Sequence, residues 1–216
     1  MRYKTIIFDL DGTLTASEEG ITKCIQYALS KLGVDEPDLK KLYKFIGPPL
    51  VPAFMEHYGF DEPTARQALI FYRERFLAKG IYENKVYDGI VPLLKALKEK
   101  GAVLCLATTK PEPQAMEVLR HFDLLSYFDV VAGSNLDETV VEKPDVMRLA
   151  ISEVSDYTPE TAVMVGDRKF DIEGAKVHKI DSIGVLYGHG GKEELQTAGA
   201  DYIVDSVEGL KNLLLN

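Results

Sequence analysis

The stretch Ile6-Ile7-Phe8-Asp9-Leu10-Asp11-Gly12-Thr13 decides how the rest of the chain is read. Four apolar or β-branched residues in a row, Thr5 to Phe8, show no polar alternation, which suits a strand covered on both faces. Aspartate is a poor strand former and glycine breaks strands, so the run ends at Asp9 and turns at Gly12. Two carboxylates one residue apart at such a tip are costly to hold unless a cation or a function requires them. An isolated D-x-D also reads as an acidic turn capping a strand, so the decision falls to the remaining sequence.

After this turn the pattern becomes helical for about seventy residues. Ile21, Cys24, Ile25, Ala28, Leu29 and Leu32 recur at three- and four-residue steps before Gly33. Pro37 stands where a first helical turn tolerates it, followed by Leu39, Leu42, Tyr43 and Ile46. Gly47-Pro48-Pro49 breaks the run, and a short helix from Leu50 to Tyr58 ends at Gly59. Asp61 is placed to cap a further helix, with Ala65, Ala68, Leu69, Tyr72, Phe76 and Leu77 as its buried stripe before Gly80. This reads as a small helical bundle over 16–85, inserted into a core made of 1–15 and 86–216.

From residue 88 onward helices alternate with short apolar strands. The strands are expected at Val103–Ala107, Phe128–Ala132, Ala162–Val165, Ser182–Leu186 and Tyr202–Val204. That alternation predicts an α/β fold: a Rossmann-like parallel sheet with helices on both faces, plus the inserted α-helical unit. Ligands of such sheets bind beyond the carboxyl ends of the strands. The candidates there are Asp9 and Asp11 after the first strand and Thr108, Thr109 and Lys110 after the second. Glu142 and Lys143 follow the third, and Gly166, Asp167 and Asp171 follow the fourth.

The bulk numbers narrow the classes. The chain has 216 residues, 46% hydrophobic and 27% charged, with a formal charge of −9. That charge disfavours binding polymeric nucleic acid through its phosphates but permits small anions held by a metal ion and placed lysines. The two cysteines, Cys24 and Cys105, read as small buried hydrophobes. No secretory leader and no membrane-length apolar run is visible, which leads to the expectation of a cytoplasmic protein without a membrane partner. The histidines His57, His121, His178 and His189 show no paired spacing and read as surface or boundary residues.

Three carboxylates from two strands, Asp9, Asp11 and Asp167, make a hard-oxygen set that suits Mg²⁺ completed by water and phosphate oxygens. Lys143 and the Thr108 hydroxyl would supply charge and a donor to phosphoryl oxygens. A carboxylate in that setting can attack phosphorus, and a second, Asp11, can move the proton. Lys110 contacts an anion or lies in solvent, and stays outside the catalytic set.

The set D-L-D-G-T (9–13), T-T-K-P (108–111), E-K-P (142–144) and V-G-D-R-K-F-D (165–171) resembles the four motifs of the haloacid dehalogenase superfamily, in its phosphatase branch. The resemblance implies that Asp9 is the nucleophile and a Mg²⁺ ligand. It implies that Asp11 is the general acid/base and binds Mg²⁺ through its carbonyl. Thr108 corresponds to the phosphate-binding hydroxyl, with the Thr109 N–H and Gly12 beside it. Lys143 corresponds to the lysine that steadies nucleophile and phosphate, Asp167 to the metal-binding acid, and Asp171 to its support or a helix cap. Ala16 departs from the family's usual aspartate in the linker.

The implied activity is Mg²⁺-dependent hydrolysis of a small phosphorylated metabolite through an aspartyl-phosphate. A 5′-nucleotide is favoured over phosphoglycolate. The insert acts as a cap, with Lys44 and Gly47 as substrate contacts. A sugar-phosphate phosphomutase and a catalytically silent binding protein are the alternatives. A dehalogenase fits less well, since it needs neither Asp11 nor the metal.

Overall fold

A computed structural model describes residues 1–136, 140 and 142–216. Six strands form one parallel sheet: β1 (Thr5–Phe8), β2 (Val103–Pro111), β3 (Val130–Ser134), β4 (Ala162–Gly166), β5 (Asp181–Val185) and β6 (Tyr202–Val204). Their order is β3-β2-β1-β4-β5-β6, the doubly wound arrangement that reverses direction beside β1. β1 is therefore central, with Ile7 in register between Cys105 of β2 and Met164 of β4.

The even spacing of strand side chains sorts the core into two faces. Ile7, Cys105, Ala107, Ala132, Ala162 and Met164 pack with Val146, Met147 and Ala150 of α6 (Lys143–Ser152) and Ala175 of α7 (Lys169–His178). Ile6, Phe8, Leu104, Leu106, Val163 and Val165 are equally buried and point to the opposite face. Both faces being apolar explains why these strands lack polar alternation. The remaining helices of this unit are α4 (Ile90–Glu99), α5 (Glu112–His121), α8 (Lys192–Ala198) and α9 (Val207–Leu215).

The chain divides into two compact units, Met1–Ala16 with Val86–Asn216, and Ser17–Lys85. It leaves and re-enters the first unit at neighbouring points, where Thr15 bridges Val86. The second unit contains α1 (Glu18–Lys31), α2 (Leu50–Tyr58) and α3 (Glu62–Arg75). Asp61 caps α3, its carboxylate accepting the Thr64 N–H at 3.0 Å. The interior of this unit is aromatic, with Phe45, Phe54 and Phe76 buried.

Two helical expectations are corrected here. Leu39–Phe45 is a 3₁₀ helix whose N-cap is Asp38, so Pro37 precedes it instead of opening an α-helix. Leu39, Leu42 and Phe45 are spaced by three, the period that aligns side chains on a 3₁₀ face, and Tyr43 is left exposed. Leu77 is 56% exposed because α3 widens into a π-helix at Phe76–Gly80 and loses the 3.6-residue phase.

Two strands also shift by more than one residue. β2 continues to Pro111 because β3 extends the ladder along it, with a register irregularity between Thr108 and Pro111. β3 begins at Val130 because Asp129 uses its side chain at the ladder's end: its carboxylate accepts the Leu104 N–H at 2.8 Å and pairs with Lys98. Among the described residues no helix is long and apolar enough to cross a membrane.

Candidate active site

The carboxyl ends of β1, β2 and β4 bring buried polar groups to one edge of the sheet. Asp9 follows directly from β1, its N–H donating to the Val165 carbonyl at 2.9 Å. Its side chain is buried and meets Lys143, the first residue of α6, at 2.6 Å. The Lys143 ammonium also lies 3.0 Å from the Ala107 carbonyl and 2.8 Å from Asp171 Oδ1. Three oxygens thus surround a group with three N–H donors.

Asp9, Asp167 and Asp171 can each offer an oxygen within 4.8 Å of the other two. Burial pushes the Asp9 carboxyl up to about 6 against the pull of Lys143. Burial, then Asp171 and Asp9, push Asp167 well above the usual carboxylate range. Burial also works against the Lys143 ammonium, but Asp171 and Asp9 outweigh it and raise its pKa.

With all three carboxyls ionised, the single ammonium leaves two negative charges uncompensated in the buried cluster. Its oxygen donors, with no histidine or cysteine among them, fit a hard divalent cation such as Mg²⁺. The Asp11 side chain goes elsewhere. Its Oδ2 lies 2.8 Å from the ammonium of Lys110, and both side chains are largely buried. The side chains of the two acids in the D-x-D turn therefore meet different lysines, Asp9 with Lys143 and Asp11 with Lys110. Lys110, set aside on sequence grounds, belongs to the site.

Asp171 is the third residue of α7, not its cap; Oδ2 accepts the N–H of the N-cap residue Arg168 at 3.0 Å. It thereby closes the first turn of the helix while its other oxygen pairs with Lys143. Thr108 is buried, and its hydroxyl oxygen accepts the Lys110 N–H at 3.2 Å. Thr109 lies in the irregular end of β2. The Gly12 N–H is used within the turn, donating to the Thr15 carbonyl at 2.8 Å. Gly12 has φ +90°, and a Cβ on it would stand 2.3 Å from Asp167 Oδ2. Glycine is required there by conformation and by space. Lys44 and Gly47 belong to the helical unit, where the Lys44 ammonium lies 5.7 Å from the Tyr58 ring centroid.

The loop after β5 was also absent from the expected set. The His189 N–H donates to Asp167 Oδ2 at 2.7 Å, and the Tyr187 hydroxyl donates to the Thr13 carbonyl at 3.1 Å. A Cβ at Gly190 would stand 1.8 Å from the Asp167 carbonyl oxygen. The glycine-dense stretch Tyr187-Gly188-His189-Gly190-Gly191 at a strand's carboxyl end is the signal that marks such an approach in sequence.

Residues 6–185 match the family model described as haloacid dehalogenase-like hydrolase. The chain belongs to that family. It is an enzyme, a hydrolase built on the doubly wound sheet described above.

It is 44% identical over 214 residues to a 5′-nucleotidase of Pseudomonas aeruginosa, covering 99% of this chain and 96% of that protein. A crystal structure described as a predicted phosphatase from Clostridium acetobutylicum superposes with a TM-score of 0.95. The two are 49% identical, with 100% of this chain and 99% of the other covered. The hydrolase is also 40% identical over 185 residues to the tyrosine-protein kinase PtkA of Mycobacterium tuberculosis. That match covers 86% of this chain and 62% of PtkA.

Proposed function

We propose that this hydrolase, a phosphatase of the haloacid dehalogenase family, releases inorganic phosphate from small phosphate monoesters in the cytoplasm, preferring 5′-nucleotides to phosphoglycolate. The observation that carries the reading is the buried Asp9 carboxylate, 2.6 Å from Lys143 and grouped with Asp167 and Asp171. A nucleophile must be ionised to attack, and the ammonium favours that form against the burial that opposes it.

In the first step an oxygen of Asp9 bonds to phosphorus, the ester bond breaks, and the leaving alkoxide takes a proton from Asp11. In the second, Asp11 accepts a proton from water, which attacks the aspartyl-phosphate, and phosphate departs with Asp9 restored. Thr108, with the Thr109 N–H, holds phosphoryl oxygens, and Lys143 neutralises charge on the nucleophile and phosphate. Asp9, Asp167 and the Asp11 carbonyl would hold Mg²⁺, with Asp171 in support. When bound, the ion supplies positive charge to the phosphoryl oxygens and offsets the two surplus negative charges of the cluster.

The preference for nucleotides is supported by the likeness to the Pseudomonas aeruginosa 5′-nucleotidase over nearly the full length of both chains. Lys44 and Gly47 of the helical insert are proposed as residues that select the substrate. A panel of nucleoside 5′-monophosphates, phosphoglycolate and sugar phosphates, assayed with Mg²⁺ and with chelator, tests the reading. The expected result is Mg²⁺-dependent phosphate release with the highest kcat/KM on nucleotides. Release that is best on phosphoglycolate would overturn the preference, and no release from any monoester would overturn the function.

A further inference from the structure

We propose that Lys110 is a positioning residue that orients Asp11 for proton transfer. The inference rests on the reading of Asp11 as the acid/base of a phosphatase. Lys110 follows Thr108 by two residues in the irregular end of β2, where the Thr108 hydroxyl accepts its N–H. Its ammonium lies 2.8 Å from Asp11 Oδ2. The other oxygen, Oδ1, is buried and has no hydrogen-bond partner among the described residues.

The carboxylate thus has two unequal oxygens, one engaged by a lysine and one left as an acceptor. Rotation of Asp11 about its side-chain bonds would break the ion pair, so Lys110 restricts it to one orientation. The same contact keeps Asp11 out of the competition for Lys143, whose ammonium is already surrounded by Asp9, Asp171 and the Ala107 carbonyl. A carboxylate that moved toward that cluster would add a fourth negative group to three. On this geometry Oδ1, the oxygen not held by the lysine, exchanges the proton once the leaving group or the attacking water has entered this buried point. Lys110 contributes by fixing where that oxygen is, not by touching the phosphate.

The leaving group separates this role from the alternatives. An alkoxide from a nucleoside 5′-monophosphate must be protonated as it departs, whereas p-nitrophenolate departs without a proton. Lys110→Met keeps the unbranched stem of the side chain to Cε and removes its charge; Lys110→Arg restores a cation. The measurement is kcat and KM on a nucleoside 5′-monophosphate. A rapid-mixing assay of the first p-nitrophenolate released from p-nitrophenyl phosphate, both at saturating Mg²⁺, completes it.

For Lys110→Met we expect kcat on the nucleotide to fall about tenfold or more with KM little changed, while the first p-nitrophenolate release stays close to wild type. Lys110→Arg should recover part of the loss. A raised KM with unchanged kcat would make Lys110 a phosphate-binding residue and overturn the proposal. An equal loss in the nucleotide reaction and in the first release would point to damage at Asp9 and overturn it too. Wild-type protein inactive on both esters would overturn the phosphatase reading itself, and this inference with it. Wild-type activity with an unaffected Lys110→Met overturns the inference alone.

Discussion

The two units of the molecule spend their charged residues in opposite ways. The helical unit, 17–85, has ten acidic and ten basic side chains, so the whole charge of −9 resides in the core unit. In the helical unit several pairs are local and solvent-facing, such as Arg66 with Glu62 and Lys23 with Glu19, four residues apart along a helix. Such pairs contribute little to stability. Its interior is apolar, with Phe45 and Phe54 at 5.1 Å between ring centroids.

In the core unit, charges far apart in sequence are buried against each other, Lys143 with Asp9 and Lys110 with Asp11. Burying ionised groups is costly, and a fold that needed only stability would fill those positions with hydrophobes. The contrast separates a unit built for packing from one whose centre is arranged for chemistry.

Four points test the contrast between the two units. Asp9→Asn should give the largest effect, reducing phosphate release below detection while far-ultraviolet circular dichroism stays that of the wild type. Retained turnover would remove Asp9 from the nucleophile's role. Phe54→Ala empties a fully buried aromatic position of the helical unit. It should cost about 3–5 kcal/mol in denaturant unfolding of that unit. Mg²⁺ binding, followed by calorimetry, should keep its affinity, since the proposed ligands all lie in the core unit. A parallel loss of Mg²⁺ affinity would show that the two units are not independent in this respect.

The third point concerns pH. Burial raises the folded-state pKa of Asp9 to about 6 and that of Asp167 well above the ordinary value. A carboxyl raised in this way favours the metal-free folded state when protonated. That contribution is present below the unfolded pKa of about 4 and is lost as pH rises through the folded values. A divalent cation competes with those protons. The rise in melting temperature produced by saturating Mg²⁺ should therefore be larger at about pH 8 than at about pH 5. Equal rises at both would mean that these carboxyls do not take up the ion. The smallest change is expected from Lys44→Ala, which should alter KM for the preferred ester several-fold and leave the melting temperature unchanged. An unaltered ranking of the substrate panel would leave Lys44 without a part in selection.

Much of the core was legible because its signals are local. The unalternating run Thr5–Phe8 predicts a strand covered on both faces, and β1, between β2 and β4, is buried along its whole length. The acids and lysines at strand ends are readable because open sheets bind ligands there. The helical unit was less faithful to its sequence pattern. Spacings of three and four residues both satisfy an amphipathic reading, so the 3₁₀ segment Leu39–Phe45 passed for an α-helix. The π-turn at Phe76 likewise exposed Leu77, a residue that the α-helical period would bury.

The linear chain decides which groups are available: a D-x-D turn at the end of a buried strand, two lysines, a threonine and two further acids at later strand ends. Those follow from residue types and spacing, and both are properties of the linear chain. Only the tertiary structure decided the pairing. Asp9 and Asp11 are one residue apart, but Asp9 meets Lys143, 134 positions away, and Asp11 meets Lys110. The glycines of the loop after β5 come to enclose Asp167 in the same way. Which cation a buried carboxylate finds depends on how neighbouring strands are ordered and where each one ends. Those are set by packing over the whole sheet, and no local pattern carries them.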